Sequence, residues 1–143
     1  SARRERLDPM LVAALVRQES AFEKNAHSSS NAFGLMQLLP KTARPLAYRL
    51  LLRYSEERLL DPAYNLRLGT VYLADLLKSF HSAEAALAAY NAGEDRVALW
   101  QTGQNYDELP EFVESIPFTQ TRQYVEIVMR NATIYRELSG GRR

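Results

Sequence analysis

The chain has 143 residues, 46% of them hydrophobic and 24% charged, with a formal net charge of +1 and no cysteine. That size and composition fit one globular domain built on a single core. The balanced charge gives no support for a nucleic-acid partner, the missing cysteine excludes disulfides and thiolate chemistry, and no apolar run is long enough to span a bilayer.

The residues Ser1 to Arg6 form a polar lead-in without a signal-peptide pattern, as expected of a mature form or a fragment. Asp8 then suits a helix N-cap and Pro9 the first helical position. Leu11, Val12, Leu15 and Val16 recur at helical spacing and mark the inward face. Glu19 lies three residues after Val16 and four after Leu15, so it continues that face, while Arg17 falls to one side. A carboxylate in apolar surroundings is costly to ionise and tends to hold its proton. A proton-holding carboxylic acid in a cleft is what a general acid for glycosidic cleavage must be. The plainer alternative is a glutamate at a frayed helix end, facing water.

From Asn25 to Gly34 the residues are rich in Ser, Asn, Ala and Gly, which predicts a loop with at most a short extended piece. Pro40 and Pro45 are expected to break up the next helical segment. Asp61 and Pro62 repeat the cap-then-proline start, and Leu66, Gly69, Leu73, Leu76, Leu77 and Phe80 form the stripe of the helix that follows. Ser82 opens an Ala-rich helix, and Gly93 is placed to end it. Gly103 and Asn105 mark a loop. A last helix starts near Thr119 and is expected to bury Tyr124, Val125, Val128, Ala132 and Tyr135, ahead of a disordered tail from Ser139. His27 and His81 lack partners at metal-ligand spacing, so neither a metal nor another cofactor is expected.

Four short motifs stand in order along this framework: Glu19-Ser20, Gly34-Leu35-Met36-Gln37, Ala89-Tyr90-Asn91, and Phe112-Val113-Glu114-Ser115-Ile116-Pro117-Phe118. Each is weak by itself, but the ordered set, with Asn65, Gly69 and Tyr72 between, resembles the catalytic domain of the soluble lytic transglycosylases in the lysozyme-like superfamily. The resemblance runs from about Leu7 to Leu138, with polar termini outside it. Two positions depart from the family pattern. Gln120 stands where Glu is more common, and Phe33 stands before Gly34 where a smaller residue is usual.

The resemblance implies a mainly α fold: a compact, lysozyme-like, multi-helix single domain with a saccharide groove and at most a small β element. It implies a monomer acting on peptidoglycan glycan strands in the bacterial periplasm or cell envelope. The implied reaction is non-hydrolytic cleavage between N-acetylmuramic acid and N-acetylglucosamine, closing a 1,6-anhydro ring. Glu19 would serve first as acid and then as base, where most glycosidases use two carboxylates.

Ser28, Gln37, Tyr90, Asn91 and Glu114 match family positions lining the groove, and each also has a plainer role. Ser28 suits a turn, and Gln37 could tie loop backbone. Tyr90 could be a core aromatic, Asn91 a helix cap and Glu114 a helix-end acid. Trp100 is either a sugar platform or core. Two rival functions share the fold: a lysozyme-like hydrolase of the same bond and a non-catalytic glycan-binding module.

Overall fold

A computed structural model of the chain describes residues 2–102, 113 and 118–140. Among these are six α-helices: α1 (Pro9–Ser20), α2 (Pro40–Arg49), α3 (Pro62–Phe80), α4 (Ala83–Ala92), α5 (Glu94–Thr102) and α6 (Thr119–Gly140), with a short 3₁₀ turn at Glu57–Leu60. No sheet forms among the described residues; they hold only the isolated antiparallel bridges His27–Phe33 and Phe33–Leu38. The chain divides into two compact units, Ser1–Tyr72 and Leu73–Arg143, so that α3 starts in the first and ends in the second.

In the first unit the helix starts follow the capping chemistry. The Asp8 carboxylate accepts the Met10 N–H at 2.9 Å ahead of Pro9, and the Asp61 carboxylate accepts the Tyr64 N–H at 3.0 Å ahead of Pro62. The predicted inward face of α1 is buried at Leu11, Val12, Leu15 and Val16, while Arg17 is exposed. At ~1.5–3 kcal/mol per large apolar side chain removed from water, these four alone offset much of the ordering entropy of a short helix. Met36, Leu38, Ala43, Leu46, Ala47, Leu59 and Leu68 are among the other buried apolar residues of this unit.

Pro45 does not break the second helical segment; it lies inside α2, and only Pro40 marks a boundary. A proline there leaves the Lys41 carbonyl without its partner four residues on. Lys41 and Pro45 are both exposed, so water can take that carbonyl, and the burial of Ala43, Leu46 and Ala47 carries the helix through. The lead-in is also ordered: the Leu7 N–H donates to the Ala2 carbonyl at 2.8 Å, and Leu7 is buried.

The second unit is organised around α4. Ser82 caps it by accepting the Ala85 N–H at 3.1 Å, and Gly93, at φ +101°, ends it. Residues Ala85 through Ala89 are all fully buried, so this helix is wrapped on every side. Four alanines in those five positions let α5 and α6 pack closely against it. On α6 the buried set is Thr121, Tyr124, Val125, Val128 and Ala132, and Tyr135 is only half-buried. The helix continues through Ser139 to Gly140, beyond the point where disorder was expected. The half-buried Trp100 ring meets Phe118 edge-on, 5.3 Å between centroids.

On α3 the predicted stripe holds at Gly69, Leu73 and Leu76. Leu66, Leu77 and Phe80 are half-buried, while Asn65, Leu68 and Val71 are buried beyond it. Gly103, Asn105 and Glu114 lie outside the described residues.

Candidate active site

Glu19 occupies the last turn of α1 and is half-buried. The helix stops one residue later, at Ser20, because Ala21 turns left-handed, at φ 52° and ψ 36°, and returns its N–H to the Arg17 carbonyl. Phe22 is left-handed as well, at φ 64°. Side-chain-bearing residues adopt this conformation at about 1–2 kcal/mol each, and only where the surroundings hold them there. Asn31 at φ 64° and Gln37 at φ 50° repeat it further along, so the segment after Glu19 concentrates backbone strain.

What holds this segment begins with Ser20. Its buried hydroxyl lies 3.1 Å from the Val16 carbonyl and 2.8 Å from the Leu35 carbonyl. One proton serves both, and the shorter contact takes the larger share. The residue next to Glu19 is thereby fastened to the Gly34-Leu35-Met36-Gln37 turn. That turn closes between Phe33 and Leu38, which exchange backbone hydrogen bonds at 3.0 Å in both directions.

The turn is clamped from below by Asn65, which is fully buried. Its Oδ1 accepts the Met36 N–H at 2.8 Å, and its Nδ2 donates to the Phe33 carbonyl at 2.9 Å and the Leu59 carbonyl at 2.8 Å. Both hydrogens of the amide are used, and two carbonyl acceptors fix which side-chain atom is nitrogen. Gly34, at φ +79°, is required for two reasons: its backbone is left-handed, and a Cβ there would overlap Asn65 Nδ2 and the Leu59 oxygen. At Gly69 the missing Cβ leaves the room that the buried Met36 side chain fills.

The other expected groove residues fall into three groups. In the first unit, Gln37 donates through Nε2 to the carbonyls of Ala26, at 3.1 Å, and Gly34, at 3.0 Å. Its amide nitrogen ties the loop backbone, the plainer of its two expected roles. Ser28 likewise closes its own loop: the hydroxyl accepts the Ala32 N–H at 3.1 Å, and the Ser28 N–H donates to the Ala32 carbonyl at 2.9 Å. Phe33 is buried, with its ring stacked 4.1 Å from that of His27, whose Nε2 lies 2.8 Å from Asn31 Oδ1.

In the second unit, Tyr90 is half-buried and Asn91 exposed in the last turn of α4. Asn91 does not cap the helix, because Gly93 does. Its Oδ1 instead accepts the Thr121 hydroxyl at 2.7 Å and joins α4 to α6. Glu114 lies outside the described residues. Glu19, Ser28 and Gln37 thus share one unit, and Tyr90 and Asn91 the other. Asn65, part of the ordered motif set but given no role there, is the positioning residue. Its signal is a polar residue three and four positions before the buried Leu68 and Gly69. Among the described residues no group of His, Asp and Glu could hold a metal ion.

The transglycosylase SLT domain description matches residues 1–111, and the soluble lytic transglycosylase helical domain matches residues 115–143. The putative soluble lytic murein transglycosylase of Haemophilus influenzae is 45% identical over 81% of this chain and 20% of its own length. The soluble lytic murein transglycosylase of Escherichia coli K12 is 39% identical over 89% of this chain and 20% of its own length. Among solved structures, an inactive glutamate-to-glutamine mutant of lytic transglycosylase Slt from Pseudomonas aeruginosa has a TM-score of 0.91 at 37% identity, covering 97% of this chain and 23% of that one. The chain therefore spans about a fifth of the length of the curated relatives it matches.

Proposed function

The chain belongs to the transglycosylase SLT domain family, and we propose on that premise that it cleaves the β-1,4 bond between N-acetylmuramic acid and N-acetylglucosamine in peptidoglycan without water. The observation that carries this reading is the seat of Glu19. It is half-buried at the end of a helix, and its neighbour Ser20 is hydrogen-bonded to the Gly34–Gln37 turn. A carboxyl group on a strained, pinned backbone keeps its position through the reaction, as a group acting in two proton transfers must. The inactive Slt mutant differs from its parent by the loss of a glutamate carboxyl, which agrees with that assignment.

In the first step the Glu19 carboxylic acid gives its proton to the glycosidic oxygen, the bond from that oxygen to the anomeric carbon breaks, and N-acetylglucosamine leaves as the alcohol. In the second, the Glu19 carboxylate takes the proton of the muramoyl 6-hydroxyl while that oxygen bonds to the anomeric carbon. Glu19 ends protonated, ready for the next cycle, and no water is consumed. The tethered hydroxyl has an effective molarity that reaches about 10⁵ M in well-oriented systems, far above water at 55 M, so the internal nucleophile wins in a shielded site.

Tyr90 and Glu114 support the reaction without transferring its protons, and Ser28, Gln37 and Asn91 contact the glycan strand. The residues form one lysozyme-like catalytic domain, a monomer without cofactor, working in the bacterial cell envelope. Among the described residues no helix is long and apolar enough to cross a membrane.

The test is mass spectrometry of muropeptides released from purified sacculi, with and without prior borohydride reduction. Products ending in 1,6-anhydromuramic acid, one water lighter than lysozyme products and inert to borohydride, are expected. Reducible muramic-acid ends as the main product would replace this reading with the hydrolase, and no release by the folded protein would leave a glycan-binding module.

A further inference from the structure

A second feature of the first unit is a cavity of about 470 Å³, within the ~300–1,000 Å³ typical of small-ligand sites. It is lined by Arg4, Leu52, Arg58, Asp61, Ala63, Tyr64 and Arg67. None of these belongs to α1 or to the loop that follows Glu19.

Three arginines stand here against the carboxylates of Asp61 and of Glu5, which pairs with Arg67, so the balance is positive. Asp61 is engaged as the N-cap of α3, with Oδ1 accepting the Tyr64 N–H at 3.0 Å, so its charge is directed at the helix N-terminus. Arg67 meets Glu5 only at 3.7 Å, longer than a hydrogen bond, which leaves its donors available. Arg4 and Arg58 are exposed, and neither has an ion-pair partner among the described residues. Tyr64 forms a fixed apolar wall, because its hydroxyl donates to the Arg53 carbonyl at 2.7 Å. Burial raises the Tyr64 phenol above its usual value despite the opposing pull of Arg58, so the ring adds no negative charge.

We propose that this pocket binds a short acidic peptide. The guanidinium forks of Arg4, Arg58 and Arg67 take its carboxylates, and Leu52 and the Tyr64 ring cover its aliphatic parts. Arginine is suited to this role because its planar donors match a carboxylate in bidentate fashion. A cavity of this volume holds a few residues, not an extended chain. Two sources carry the chemistry, the peptide part of a cell-wall polymer and an acidic stretch of protein. The site shares no lining residue with α1 or the loop after Glu19, and its test does not depend on the reaction proposed above.

The experiment is an NMR titration of the isotope-labelled protein with three peptides: acetyl-Glu-Glu-Glu-amide, the matching triglutamine, and a cell-wall stem tetrapeptide. Saturable shifts are expected at the backbone amides of Arg58, Tyr64 and Arg67, weakening as salt is raised. The triglutamine peptide should bind at least about 10-fold more weakly than triglutamate, and the double variant Arg4→Gln with Arg58→Gln should weaken triglutamate by a similar factor. Tighter binding of the stem peptide identifies the wall polymer as the source, and tighter binding of triglutamate identifies a protein segment. The absence of saturable shifts with either acidic peptide, equal binding of triglutamine, or unchanged affinity in a normally folded double variant would overturn the proposal. The comparison between peptides needs no variant and holds even if the substitutions disturb folding.

Discussion

Replacing Asn65 by alanine tests whether the turn beside Glu19 is held from α3. In the native protein the side chain satisfies three buried backbone groups, the Met36 N–H and the carbonyls of Phe33 and Leu59, at 2.8–2.9 Å. Alanine leaves all three without that partner. Each orphaned group costs about 1–3 kcal/mol when water cannot reach it. Asn65 is fully buried, so little water can enter, although the space vacated by the amide is large enough to relax or to admit one molecule. A loss of about 3–5 kcal/mol is therefore expected, a large part of the ~5–15 kcal/mol that stabilises an ordinary domain. At roughly 3 °C per kcal/mol for a chain of this size, the melting midpoint should fall by about 10–15 °C. Asn65→Asp is the sharper companion. It keeps the acceptor for Met36 but sets a carboxylate against two carbonyl oxygens. Its folded-state pKa should be raised above the unfolded value, so the variant should be most stable below the unfolded pKa and lose stability as the pH rises from there through the folded-state pKa. Chemical denaturation at several pH values gives both numbers. A loss below about 1 kcal/mol for Asn65→Ala would refute the reasoning, because three buried hydrogen bonds cannot be removed so cheaply.

Further outcomes follow from the same geometry. Gly34→Ala should destabilise by more than the ~1 kcal/mol of a left-handed alanine, because the new Cβ meets the Asn65 amide and a backbone oxygen; a melting curve within 2 °C of wild type, a shift worth less than ~1 kcal/mol, would contradict it. Ser20→Ala removes the tie to Leu35 and should cost about 1–3 kcal/mol, with a fall in turnover larger than in substrate affinity if the tie holds Glu19 in register; unchanged kinetics would make Ser20 purely structural. Glu19→Gln should lower sacculus lysis by at least ~10²–10⁴-fold while melting at or above the wild-type temperature, since a neutral amide suits a half-buried seat better than a carboxylate. Near-normal lysis by that variant would remove Glu19 from the mechanism.

Much of the fold is legible in the chain because the signals that specify it are local. Asp8-Pro9 and Asp61-Pro62 start helices whether or not the rest of the protein is known, since a side chain and a backbone N–H two or three residues away supply the whole interaction. The apolar spacing of α1 and the alanines of α4 declare buried faces for the same reason. Glu19 stands out as a carboxylate continuing such a face, and the four ordered motifs attach that position to a family. The tertiary structure alone decides how the polar residues are spent. In the chain, Gln37 and Ser28 could each be a sugar ligand or a loop tie, and in the structure Gln37 Nε2 and the Ser28 hydroxyl bond to loop backbone. Asn65 takes its partners at Phe33 and Met36 from 32 and 29 residues away, a distance no periodicity reports. Pro45 stays within a helix because burial of its neighbours outweighs one lost hydrogen bond. Ala21, Phe22 and Gln37 are left-handed although nothing in their side chains favours it. A conformation that costs energy locally exists only where long-range contacts hold it, so it appears in the folded molecule and leaves no mark in the chain.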